Sequence, residues 1–166
     1  MQTIYKYLDG KVLPALQSKR GEALLQELVK RGKNHVLMNR WLTLFFTYLD
    51  RYHVKYFSLP TLAESGLLKF KQLVFDKIKD SVTEALLILI NEERDGTTVD
   101  HGLVKGAIDI YIDMGMERLD VYKDDFEEHY LRSSSEYYAR EAAKWLENDS
   151  TPNYLIKAEK VFEDEK

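Results

Sequence analysis

The sequence contains no cysteine, only 3 prolines and only 8 glycines in 166 residues. Without cysteine there is no disulfide, no thiolate metal site and no cysteine nucleophile, and an intracellular setting is expected. So few prolines and glycines leave little material for frequent turns, so long helices with short connections are predicted. The longest apolar run, A-L-L-I-L-I at 85–90, is far too short to cross a bilayer. The N-terminal stretch M-Q-T-I-Y-K-Y-L-D-G carries charge too early for a secretory signal. Excess positive charge is absent too. A formal net charge of −4 argues against nucleic acid as a general electrostatic partner.

Catalytic patterns are equally scarce. His35, His53, His101 and His129 are not spaced in pairs at i+3 or i+4, and neither H-E-x-x-H nor E-x-x-H occurs. No glycine-rich phosphate loop and no G-x-S-x-G is present. The acidic run D-D-F-E-E at 124–128 reads as a solvated helix face, and S-S-S at 133–135 as a solvent-facing turn or a break between helices. No catalytic residue, metal site or cofactor is expected.

What the chain has is helical periodicity. Ile4, Tyr5, Leu8, Val12, Leu13 and Leu16 share one helical repeat, which Pro14 should kink or break. Residues 21–31 form a short amphipathic helix that Gly32 is expected to stop. A longer helix is expected over 34–55, ended before Pro60. Residues 62–79 restart the pattern, and Asp80 or Ser81 could cap the next helix. Asp95-Gly96 reads as a turn, Thr98 or Asp100 as the cap of a helix that Gly115 ends. A Tyr-rich charged helix or helix pair spans 119–148, and Thr151-Pro152 opens a last one. The final helix ends on charges without a clear stop. The sum is an all-α bundle or solenoid of seven or eight helices.

The stretch from Asn34 to Lys55 is more apolar than a one-sided surface helix requires. At about 100° per residue, Leu37, Leu44 and Tyr48 fall together with Trp41 and Tyr52 beside them. Met38, Leu42, Phe45, Phe46 and Leu49 continue the apolar arc on the other side. Two readings stay open from geometry alone. Either neighbours in this chain cover the whole helix, or Leu42, Phe45, Phe46 and Leu49 face the bundle while Leu37, Trp41, Leu44, Tyr48 and Arg51 meet another protein. Aromatic residues and Arg are the types enriched at interface hot spots.

Seven stretches in series bear on this choice. They are V-L-P-A-L (12–16), R-W-L-T-L-F-F-T-Y-L-D-R-Y (40–52), L-I-N-E-E-R-D-G (89–96), D-I-Y-I-D-M-G-M (109–116), Y-K-D-D-F-E-E-H-Y-L (122–131), Y-Y-A-R-E (137–141) and Y-L-I-K-A-E-K (154–160). Together, in this order and spacing, they resemble the N-terminal cullin-repeat domain of the cullin family, most closely the plant cullin-1 type. The resemblance covers nearly the whole chain. It implies a stalk of stacked helical repeats, with 1–57 as the end of a first repeat and 58–166 as much of a second. It also implies a non-catalytic scaffold of an SCF-type ubiquitin ligase, located in the cytoplasm or nucleus. The family binds an Skp-type, BTB-fold adaptor through two helices of its first repeat. The later of these matches 34–55, and the tyrosine of its Y-[LM]-[DN]-R motif matches Tyr48. Helical geometry extends that surface to Arg51, Leu44, Trp41 and Leu37, leaving Leu49 and Tyr52 mainly as core. The chain begins after the family's other adaptor helix, so weakened adaptor binding is expected, and no binding of a RING protein.

Overall fold

The computed structural model describes residues 2–54, 56–57, 59–116 and 118–164; of Gln2, Leu49, Asp50, His53 and Asp164 it describes the backbone alone. Among the described residues there is helix and no strand.

Helix α1 covers 2–17, as Gln2–Tyr7, a wide π-wound turn Leu8–Val12, and Leu13–Gln17. Pro14 is the reason for the wide turn. It has no N–H to donate, and the Leu13 N–H instead reaches back to Leu8 O. The expected break is therefore absorbed as one widened turn, and Ser18 N still donates to Pro14 O at 3.1 Å.

Helix α2 is Gly21–Phe45, unbroken through Gly32. A glycine at a helix end usually supplies a left-handed cap, but Gly32 serves close packing. A Cβ there would sit 3.1 Å from Ile110 Cδ1 on a neighbouring helix. The two helices expected over 21–31 and 34–55 are thus one up to Phe45, followed by a separate π-wound segment Leu49–Val54.

Helix α3 runs as Leu62–Phe70, a π-wound Lys71–Phe75, and Asp76–Arg94. Thr61 caps it with a reciprocal pair: its Oγ1 accepts from Glu64 N at 3.2 Å, and its N–H donates to Glu64 Oε2 at 2.8 Å. Asp80 and Ser81 lie inside α3, not at a cap. Helix α4 is His101–Met114, capped by Asp100, whose Oδ1 accepts from Gly102 N at 2.8 Å and Leu103 N at 3.1 Å. The Asp95-Gly96 turn before it has Gly96 at φ 92°. Helix α5 starts as Asp120–Tyr122, widens at Lys123–Glu127 and continues as Glu128–Asn148; α6 is Thr151–Asp164. Merging of neighbours leaves six long helices among the described residues instead of seven or eight.

The chain divides into two compact units, Met1–His129 and Tyr130–Lys166. The first holds the apolar core. Leu8, Val12 and Leu16 of α1, Leu24, Leu25 and Leu28 of α2, Phe70, Val74, Phe75, Val82 and Leu86 of α3, Ala107 and Tyr111 of α4, and Phe126 of α5 are all buried. Tyr111 ties three helices together. Its ring meets Phe75 edge-on at 4.9 Å, and its hydroxyl lies 2.8 Å from Thr83 Oγ1 and donates to Lys79 O at 3.2 Å. Thr83 Oγ1 also reaches Asp125 O at 2.9 Å, and Lys79 forms a salt bridge to Asp125. Burial pushes the Tyr111 hydroxyl above its ordinary range, so it stays protonated and available to this network. In the second unit Trp145 and Tyr154 meet edge to face at 6.2 Å, and Lys157 pairs with Asp149 at 2.6 Å.

Candidate interaction surface

Helix α2 is fixed at its first half. Glu27, nearly buried, accepts from Lys19 Nζ at 2.8 Å and from Arg31 Nε at 2.7 Å. These two cations hold the Glu27 carboxyl at about 2, well below the usual carboxylate range. Leu24, Leu25 and Leu28 fill the core behind it.

The inward stripe continues through Gly32, His35 and Asn39, where it becomes polar. His35 Nε2 donates to Gly66 O at 2.9 Å, and its ring packs on Phe70 at 4.8 Å between centroids. Burial pushes the His35 imidazole below its ordinary value, so the neutral ring is favoured. Asn39 fills the space where a Cβ on Gly66 would stand; such an atom would lie 2.3 Å from Asn39 Oδ1. His35 Nδ1, Asn39 Nδ2 and Thr43 Oγ1 are enclosed without a hydrogen-bond partner among the described residues.

Beyond Asn39 no described residue of α2 is buried. The helix overhangs the bundle there. Leu37, Trp41, Leu44 and Tyr48 are exposed at 52%, 55%, 58% and 77%, and Arg51 is exposed as well. Leu37, Trp41 and Leu44 lie on one continuous helical face, about opposite the Leu28–Gly32–His35–Asn39 stripe. Tyr48 and Arg51 stand past an interruption. Phe46 leaves helical geometry at φ −104°, ψ 22°, and residues 49–54 are π-wound. Spacing of about 100° per residue therefore does not carry Arg51 onto that face. The Tyr48 ring meets Tyr52 at a tilt, 4.6 Å between centroids, and Trp41 lies 6.4 Å from Phe45.

Three expectations for this stretch need correction. The chain's own helices do not cover the whole of α2. The set expected to face the bundle does not do so as a group: Leu42 is half-buried, Phe45 is 79% exposed and Phe46 50%. Tyr52, expected as core, is 57% exposed, while the side chain of Leu49 lies outside the described residues. The common cause is the overhang: the α2–α3 packing that buries His35 and Asn39 ends before Phe45. Sequence reasoning also passed over the His35–Asn39–Gly66 contact. It passed over the Thr61 cap too, although T-L-A-E directly after Pro60 carries the signal of a capping box.

Among the described residues no cluster of three or more His, Asp or Glu could hold a metal. Among those residues no helix is long and apolar enough to cross a membrane. Fold and surface together define an all-α protein whose helix α2 leaves one face, with Leu37, Trp41 and Leu44, exposed. Its sequence matches the cullin alpha solenoid domain over residues 1–166. It is 43% identical to Cullin-2 of Arabidopsis thaliana over 160 residues, covering 96% of this chain and 22% of that protein. Identity to the putative cullin-like protein 2 of Arabidopsis thaliana is 41% over 167 residues, 99% of this chain and 45% of that one. Rice Cullin-1 is 42% identical over 134 residues, 81% of this chain and 18% of that protein. The chain belongs to the cullin family. It spans less than half the length of each of these three relatives.

Proposed function

We propose that this chain is a non-catalytic scaffold segment of an SCF-type ubiquitin ligase that binds an Skp-type adaptor of BTB fold. The carrying observation is the outward face of α2 with its continuation, where Leu37, Trp41, Leu44 and Tyr48 are each more than half exposed. Exposed apolar surface concentrated on one element marks a contact site more often than it decorates a solvated helix. The family relation supports an adaptor as partner, and the Skp type is our own reading. Arg51 is exposed beyond the interruption and is included in the proposed contact set on its exposure alone. In this reading residues 1–57 form the end of one cullin repeat and 58–166 much of the next. The segment works in the cytoplasm or nucleus and positions its partner without chemistry of its own.

Capture of a plant Skp-type adaptor on the immobilised chain tests the proposal. The wild type should retain adaptor. Tyr48→Ala should reduce retention roughly thirtyfold, as expected for a hot-spot aromatic worth about 2 kcal/mol. Tyr48 supports no core packing, so the variant should keep the wild-type circular dichroism. Failure of the wild type to bind any such adaptor would leave a folded cullin remnant without this partner.

A further inference from the structure

The exposed part of α2 is patterned for one kind of partner. Lys30, Asn34, Leu37, Trp41 and Leu44 follow one another at alternating intervals of four and three, the spacing that keeps a seam facing a second helix. All five are exposed and all lie within the unbroken helix Gly21–Phe45. The two flanks of this seam differ. On one side, immediately before Asn34 and Trp41, stand Lys33 and Arg40, both exposed. On the other, immediately after Leu37 and Leu44, stand half-buried Met38 and exposed Phe45. The seam is therefore apolar toward Phe45, cationic along one edge, and polar and basic toward Lys30.

From this we infer that the α2 face docks an amphipathic helix of another protein, one with apolar residues at coiled-coil spacing and a carboxylate flank opposite Lys33 and Arg40. The inference rests on the adaptor reading for its location and adds the chemistry of the docked element. Charge decides between this occupant and a second copy of the chain. Two α2 helices packed antiparallel would set Lys33 and Arg40 against the same cations of the other copy. Packed parallel, they would lay those cations against Met38 and Phe45. Both arrangements are disfavoured, by like-charge repulsion or by uncompensated desolvation. An acidic flank converts the same edge into a row of complementary pairs that aligns the partner and speeds its encounter.

Two synthetic helical peptides test this by fluorescence anisotropy against the full chain. Both carry Leu at the seam positions; one has Glu at the flanks and the other Lys. The Glu peptide should bind at least roughly tenfold more tightly at low salt, and raising the salt to about 0.5 M should close the gap. Lys33→Glu combined with Arg40→Glu should reverse the preference while leaving the circular dichroism spectrum unchanged, since both positions are exposed. Equal binding of the two peptides, or a preference that survives the double substitution, overturns the inference. So does a chain that sediments as a dimer dissolved by Trp41→Ala, because a second copy would then occupy the face. Adaptor capture without peptide preference leaves the proposed function standing and removes this one. Peptide preference without adaptor capture does the reverse.

Discussion

Asn39 and Gly66 illustrate how much a single pair of residues decides. Alanine ordinarily stabilises a helix interior over glycine by about 1 kcal/mol. At Gly66 the balance reverses, because the added Cβ would stand 2.3 Å from Asn39 Oδ1 and 2.4 Å from its Nδ2. Asn39 is itself enclosed between α2 and α3 and cannot swing away without repacking. Gly66→Ala should therefore lower stability by about 1–3 kcal/mol, the usual cost of overpacking. Urea unfolding followed by circular dichroism reads this directly, and a stabilised variant would show that the contact is loose. Gly32 teaches the same lesson from the other side. Its position after a short amphipathic run looks like a helix stop, whereas the proximity of Ile110, far along the chain, gives the position a packing reason to be glycine. Such residues are illegible from sequence because their reason lies in a neighbour that local pattern does not name.

At the scale of elements, α2 is two things in succession: a packed helix as far as Asn39 and an overhang beyond it. Its aromatic excess was visible in the spacing of Leu37, Trp41, Leu44 and Tyr48. Where packing stops was not, because periodicity gives the facing of a residue and not the extent of the neighbour. The six long helices were legible as helix, and the caps at Asp100 and the turn at Asp95-Gly96 came from local chemistry that tertiary packing did not override. The π-wound segments were not legible, since none has a local signal apart from Pro14. The α2–α3 contact also carries a pH dependence. His35 is held neutral by burial, below its ordinary value of 6.5. In the unfolded chain the same ring takes up a proton as pH falls through that ordinary value. The unfolded state then binds more protons, so stability should decline as pH drops below about 6.5. The Glu27 pair adds a separate loss only below 4.5, as its carboxylate protonates on the way to about 2. Unfolding free energies at pH 7.5 and 5.5 should differ in the wild type and converge in His35→Gln; an unchanged difference would assign the dependence elsewhere.

For the whole molecule, the buried side chains lie between Leu8 and Phe126, within the first compact unit, whereas the large aromatic residues at 41–57 face solvent. Helices α1, α3, α4 and the first half of α2 carry core side chains, and the overhang leaves its large side chains exposed. This division suits a scaffold, whose output is the placement of a partner. Hydrogen exchange with and without a plant Skp-type adaptor tests the central claim most directly. Slowed exchange on adaptor addition should centre on residues 37–48, leaving α3 and α4 unchanged. Protection appearing away from α2, or no protection anywhere at saturating adaptor, would contradict the account.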